Sequence, residues 1–301
     1  MAEPRTTFLD PALLAKLASL QVRVRAVVEG VIDGLHRSPL RGQSIEFAEH
    51  KEYTPGDEIR HMDWKAYARR DRYYVKQYEQ ETNVRAWLVV DASASMGWRG
   101  APGRLTKLEH AATMAGSLGH LLSRQQDSVG LVAAADRVMR AVPPRGGASH
   151  AATIVDTLAS LAAQGATRLA AAADHVLEHA PRGGLVLVFT DLLDPDEHVV
   201  RRLGLLRRRK HEVVLFHVLD PAEIEFPYED DALFEPVEGG APVEARGRDV
   251  RRGYLEVFER WLEDTRRSAA AADVEYVLAR SDVAIERILI PFLARRERRL
   301  A

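Results

Sequence analysis

Apolar residues first recur at helical spacing, as Leu13, Leu14, Leu17, Val24, Val27, Val28 and Val31. With Asp10 as N-cap and Pro11 at the first helical position, they predict one helix to about residue 33. His36 to Gln43 contains Pro39 and Gly42 and reads as a loop. The character then changes. Ser44 to Tyr53 and Tyr73 to Glu81 read as strands, joined by a turn at Thr54-Pro55-Gly56-Asp57 and a polar-aromatic stretch through Trp64 and Tyr67. Residues 44–83 are therefore expected to form a β-rich accessory subdomain, with residues 1–43 as N-terminal helix and linker.

From Asn83 onward short apolar runs alternate with helical patterns. Val84 to Val90 leads into Asp91, Ser128 to Ala135 is a second buried strand, and Leu185 to Phe189 is wholly apolar and runs into Thr190 and Asp191. Residues 212–219 and 274–278 read as further strands, and Val138 to Val142 as a short one ending at Pro143-Pro144. Helices are expected at about 104–125, 149–163, 168–180, after Asp194-Pro195, at 249–271 and from Ser281. The segment 221–247, rich in Pro, Gly and acid, looks like an inserted hairpin. Continuous apolar strands alternating with helices indicate an α/β domain over 84–301, with a parallel sheet covered on both faces. Such sheets bind ligands beyond the carboxyl ends of their strands, where the strand order reverses.

Composition removes several classes of function. The chain has 301 residues, 46% of them hydrophobic, enough for one sizeable core and an accessory layer. With 42 basic and 44 acidic residues the net charge is -2, which gives no global attraction to nucleic acid or anionic membrane. There is no cysteine, so disulfides, thiolate zinc sites, iron–sulfur clusters and cysteine nucleophiles are excluded. No signal peptide and no run near the ~18–20 apolar residues of a membrane span are evident. A cytoplasmic protein is expected.

The candidate chemistry lies in Asp91-Ala92-Ser93-Ala94-Ser95-Met96-Gly97, at the end of the first parallel strand. Three oxygen-bearing side chains occupy alternate positions of one loop and can turn toward one point. Magnesium takes oxygen ligands and retains waters. Hydroxyls with few carboxylates leave such an ion partly uncompensated, able to attract an outside acid. Taken alone, the loop reads equally well as an Asp/Ser turn or helix cap. Two features add weight. Thr167 follows Gly165-Ala166 just before a helix, and Asp191 ends another buried strand. If the two strands are neighbours, both aspartates meet at one switch point.

This pattern, D-x-S-x-S followed by T and then D, resembles the metal-ion-dependent adhesion site of the von Willebrand factor A fold. Asp91, Ser93, Ser95, Thr167 and Asp191 match it in full across roughly residues 84–220. The resemblance implies a doubly wound, mostly parallel sheet. It also implies that the serines and threonine face a Mg²⁺ ion (or Mn²⁺ or Ca²⁺), with the aspartates acting directly or through water. Upstream, Glu46-Phe47, Tyr53-Thr54-Pro55-Gly56-Asp57, Ile59-Arg60, Met62-Asp63-Trp64 and Ala68-Arg69 resemble the block before that site in a bacterial domain-of-unknown-function family, number fifty-eight. That resemblance implies a non-catalytic interaction module partnered with a MoxR-type AAA+ ATPase, or with a client that the ATPase remodels or assembles.

Competing motifs are weaker. His175-Val176-Leu177-Glu178-His179 matches a zinc-peptidase pattern, but Leu169, Ala173, Val176, Leu177 and Ala180 mark the apolar face and both histidines fall away from it. A Mg²⁺-dependent phosphoesterase using Asp91 as nucleophile is the main rival. It needs a second Asp two residues on, where Ser93 stands, and Asp230-Asp231 follows no clear apolar strand. A scaffold with a vestigial metal site is the third reading. Phosphate-binding glycine loops and G-x-S-x-G are absent. The basic-aromatic run from Arg60 to Lys76 is interleaved with Asp63 and Asp71, so local pairing is preferred to nucleic-acid binding. Arg201, Arg202 and Arg207 to Lys210 read as a solvated helix end.

Overall fold

A computed structural model of the chain describes residues 8–37, 51–52, 74–75, 84–194 and 199–300. They divide into two compact units. Residues 38–83 belong to one, and the described residues up to Arg37 and from Val84 onward make the other. In the smaller unit, β1 (Lys51–Glu52) and β2 (Tyr74–Val75) pair antiparallel, Lys51 opposite Val75 and Glu52 opposite Tyr74. These four residues fall within the two stretches expected as strands. Asp57, Arg60, Asp63 and Trp64 lie outside the described residues, as does most of the basic-aromatic run.

The larger unit is built on β3 (Arg85–Asp91), β4 (Ser128–Ala134), β5 (Val138–Arg145), β6 (Gly184–Thr190), β7 (His211–Leu219) and β10 (Glu275–Arg280), in the order β10-β7-β6-β3-β4-β5. All neighbours are parallel except β4 and β5. The expected α/β class and mostly parallel, doubly wound sheet are therefore observed. The order reverses between β3 and β6, because the chain builds outward from β3 to one edge and then returns to fill the other. Ligands of such sheets bind at that switch point.

Side chains alternate between the faces of the sheet, as strand geometry requires. Ala86, Leu88 and Val90 of β3, with Leu185, Leu187 and Phe189 of β6, face one core. Helices α2 (Leu20–Arg37), α3 (Lys107–Arg124), α4 (Ala148–Ala159) and α9 (Ile285–Leu300) contribute to it. Trp87 and Val89, with Val186 and Val188, face a second core, to which α5 (Leu169–His179), α6 (Val199–Arg208) and α8 (Gly247–Ala271) contribute. Burial on both faces explains why these strands are continuously apolar.

Two expectations are corrected. The first helix is broken: α1 (Pro11–Lys16) ends at Leu17, and α2 restarts at Leu20. The Arg23 guanidinium donates to the Leu17 carbonyl at 3.0 Å, satisfying an acceptor at the break. β5 does not stop at Pro143 but runs on to Arg145, with a register shift opposite Val129 and Leu131. It is an edge strand, and Pro143 and Pro144 fall at the register shift, where the ladder is already interrupted and their missing N–H groups are tolerated. The segment after β7 holds α7 (Pro221–Glu225) and then the expected hairpin, β8 (Asp231–Phe234) with β9 (Val243–Arg246). Among the described residues no helix is long and apolar enough to cross a membrane.

Candidate metal centre

β3 and β6 are in register, Val90 opposite Phe189, so Asp91 stands level with Thr190 and Asp191 follows one residue beyond, both at the switch point. Both are buried, at 1% and 0% exposure. Asp91 Oδ1 accepts from the Ser93 amide at 2.9 Å, and its Oδ2 accepts from the Thr190 hydroxyl at 2.6 Å. The Asp91 loop then turns through Ala94–Gly97, which brings the Ser93 and Ser95 hydroxyls to 3.1 Å from each other.

Thr167 reaches the same place because its loop is latched to the Asp91 loop. The Ala94 amide donates to the Gly165 carbonyl at 2.9 Å, and the Gln164 amide donates to the Ala92 carbonyl at 2.9 Å. Gly165 has φ of 76°, a conformation glycine adopts without steric cost. The five residues named from the sequence are thus brought together, each on a loop or strand end fixed by backbone hydrogen bonds.

Sequence reasoning missed the charge that balances them. Lys107 opens α3, where Thr106 and Glu109 form a reciprocal cap with bonds of 2.8 and 3.1 Å. Its ammonium, 1% exposed, lies 2.8 Å from Asp191 Oδ2 and 2.5 Å from Glu223 Oε1. Burial alone would lower its pKa, but the attraction of Asp191 and Glu223 holds it above the ordinary value. A cation in the first turn of a helix opposes the helix dipole, the one signal in the sequence that Lys107 serves another purpose. His217 from β7 contacts the Asp191 carbonyl through Nε2 at 3.0 Å and the Tyr276 hydroxyl through Nδ1 at 2.8 Å. Burial pushes its pKa down to about 4.

Glu238, at the tip of the β8–β9 hairpin, was also missed. Its Oε2 accepts from the Thr167 amide at 3.0 Å. Its Oε1 accepts from the Thr167 hydroxyl at 2.9 Å and the Ser95 amide at 3.3 Å. Behind it a groove of about 630 Å³ opens, lined in part by Trp98, Lys107, Glu223, Phe226 and Tyr254.

The residues fit a hard divalent cation. Among the described residues no group of three or more His, Asp and Glu side chains is placed to hold a metal, so a centre here must draw on hydroxyls. Ser93, Ser95 and Thr167 supply them, and magnesium accepts such a set with waters. Charge points the same way. Burial, and then the like charge of Asp191, push the Asp91 carboxyl up to about 7, against the hydrogen bonds from Thr190 and Ser93. A divalent cation would relieve both causes.

The rival motifs gather no such cluster. The His175 and His179 rings stack on each other, centroids 4.1 Å apart, and His179 Nδ1 is taken by the His175 carbonyl. Asp231 opens the hairpin and pairs with Arg246 at 3.0 Å. Arg207 is held by Asp273 and by the His211 carbonyl, so only part of the basic run is a solvated helix end.

Among known proteins, the chain is similar to the uncharacterized protein Rv1480 of Mycobacterium tuberculosis, 33% identical over 234 residues, 77% of this chain and 73% of that protein. Two solved structures are similar in fold. BatB from Bacteroides thetaiotaomicron matches with a TM-score of 0.45 and 15% identity, over 72% of this chain and 98% of BatB. A von Willebrand factor type A protein from Catenulispora acidiphila matches with a TM-score of 0.39 and 13% identity, over 70% of this chain and 42% of that one. The profile of one family, described as protein of unknown function DUF58, matches residues 49–260, both strands of the smaller unit and all five candidate site residues included, and the chain belongs to that family.

Proposed function

We propose that this chain is a non-catalytic protein-interaction module that depends on a divalent metal ion. Ser93, Ser95 and Thr167 hold the ion, and Asp91 and Asp191 shape its water shell. Mg²⁺ is the expected ion, with Mn²⁺ or Ca²⁺ as alternatives. When bound, the ion supplies positive charge that the few carboxylates leave incompletely neutralised, to which an acidic side chain of a partner is drawn. Lys107 orients Asp191 through their 2.8 Å ion pair, and Thr190 orients Asp91 through its 2.6 Å hydrogen bond. The observation that carries this reading is the meeting of two buried aspartates and three hydroxyl side chains at the β3–β6 switch point.

In this reading the protein works in the cytoplasm with a MoxR-type AAA+ ATPase, in assembly or remodelling of a protein complex. Residues 44–83 serve as its β-rich accessory subdomain. Calorimetric titration of wild type and Asp91→Ala with Mg²⁺ and Mn²⁺ tests the centre, and equal affinity in both proteins would sink it. For the partnership, recovery of the ATPase on the immobilised chain is compared with and without EDTA. Equal recovery counts against a metal-mediated grip.

The phosphoesterase reading has less support. A nucleophilic carboxylate needs a free oxygen facing its substrate, and both oxygens of Asp91 are engaged in hydrogen bonds within a buried site. Phosphatase turnover with Mg²⁺ that disappears in Asp91→Asn would reverse that judgement.

A further inference from the structure

We propose that Glu238 is a further ligand of this centre, presented in cis, so that the β8–β9 hairpin occupies the position a partner's carboxylate would take. The inference rests on the metal reading above. Its basis is that Glu238 contacts two of the residues assigned to the ion. One oxygen, Oε1, touches both the Thr167 hydroxyl and the Ser95 amide, at 2.9 and 3.3 Å. Both residues are assigned to the ion, so this carboxylate already stands beside the place the ion would take.

The hairpin is built for this placement. Its base is fixed: the Gly247 amide donates to the Asp230 carbonyl at 2.9 Å, and the Arg248 amide to the Glu229 carbonyl at 3.2 Å. Phe226 packs there on Tyr254 and Phe234, with ring centroids 4.6 and 5.6 Å away. The tip is held differently. Among the described residues, the hydrogen bonds joining residues 235–242 to the rest of the larger unit are those of Glu238. Its neighbours Glu235, Pro236, Val237, Gly239 and Gly240 are exposed, while Glu238 itself is half-buried. Gly239 and Gly240, at φ of 95° and 134°, make the reversal that turns this one side chain inward.

A carboxylate beside carboxylates calls for a cation. Asp191 and Glu223 already share the Lys107 ammonium, and Glu238 lines the same groove as Lys107 and Glu223. The Thr167 amide and hydroxyl and the Ser95 amide hold this carboxylate in place, and a divalent ion would add the positive charge that they lack. A partner therefore competes with Glu238 before it binds.

The test uses the full chain, Mn²⁺ and Mg²⁺ as probes, and two readouts. Mn²⁺ affinity is measured for wild type, Glu238→Gln and Asp91→Ala. Amide hydrogen exchange across residues 235–242 is measured in Mg²⁺ and in EDTA. Glu238→Gln is expected to bind Mn²⁺ about tenfold more weakly or worse. The tip of wild type is expected to exchange more slowly in Mg²⁺ than in EDTA, and that difference disappears in Glu238→Gln. Equal Mn²⁺ affinity in wild type and Glu238→Gln, with tip exchange indifferent to metal, overturns the role of Glu238 and leaves the centre standing. Mn²⁺ binding that is absent from wild type overturns both readings.

Discussion

The Lys107 ammonium stands 2.8 Å from Asp191, at the switch point of the sheet, and neither side chain reaches water. The same ammonium holds Glu223, whose other oxygen accepts from the Asp220 amide at 2.8 Å and so caps α7. One cation thus bridges a carboxylate at the end of β6 and one in α7. Breaking a buried pair from one side leaves a charge without solvent or partner, a loss of about 3–5 kcal/mol. Lys107→Met, which keeps the length of the side chain, is expected to lower the unfolding free energy in EDTA by that order, measured by chemical denaturation. Added Mg²⁺ should then recover more stability in the variant than in wild type, because the carboxylates it would approach are no longer balanced. A loss below about 1 kcal/mol would mean that Asp191 does not depend on Lys107.

The convergence of these candidate residues could largely be read from the chain, and the reason is local. Asp91, Ser93 and Ser95 are separated by single residues, and Asp191 directly follows an apolar run, so strand ends announce them. Thr167 was visible as a hydroxyl before a helix. Lys107, Glu223 and Glu238 were not, because each comes from a different element and their meeting depends on tertiary packing. Glu238 in particular is one acid among several in a Pro- and Gly-rich insertion, with no periodicity to single it out. The strands were legible for the same reason as the aspartates: β3, β6 and β7 are buried on both faces and carry long apolar runs, that of β7 interrupted by His217. The break at Leu17 was hidden, since the apolar positions of α1 and α2 continue one helical pattern across it.

His110 lies on the buried face of α3, and among the described residues its Nε2 has no hydrogen-bond partner. Burial lowers its pKa from 6.5 to about 4, although Asp282 and Asp220 act in the opposite direction. The folded pKa is thus below the unfolded one, so protonation favours the unfolded chain. His110 contributes its full stability above pH 6.5 and loses it as pH falls from 6.5 toward 4. Between about pH 7.5 and about pH 4.5 wild type should lose roughly 2–3 kcal/mol more than His110→Leu. Parallel pH profiles for the two proteins would show that His110 is not held neutral by burial.

The N-terminal helix α2 docks on α3 at Gly116, where an added Cβ would lie 2.8 Å from a Val24 methyl. Alanine in a helix interior gains about 1 kcal/mol over glycine, but here the contact opposes that gain. Gly116→Ala is therefore expected to be neutral or destabilising in wild type. In a Val24→Ala background the obstruction is gone, and the same change should stabilise by a few tenths to about 1 kcal/mol. Equilibrium unfolding of the four proteins of this cycle gives the coupling directly. Additivity would mean that α2 does not pack on α3 at this point.

Thr190 works for its neighbours rather than for any ligand. Its hydroxyl donates to Asp91 at 2.6 Å and accepts from the Leu192 amide at 3.0 Å, wholly out of solvent. Replacing it by valine keeps the shape and removes both bonds, leaving a buried carboxylate oxygen and a buried amide unpaired. Each such group costs about 1–3 kcal/mol. Thr190→Val is therefore expected to unfold several kcal/mol more easily in EDTA and to bind Mg²⁺ about 10–100-fold more weakly, as loss of an orienting partner does. Thr190→Ser keeps the hydroxyl and should restore most of the Mg²⁺ affinity, at the cost of a small cavity. If valine and serine variants bind Mg²⁺ alike, the orientation of Asp91 is set by the Ser93 amide alone, and the contact between β3 and β6 at this level is packing without consequence for the centre.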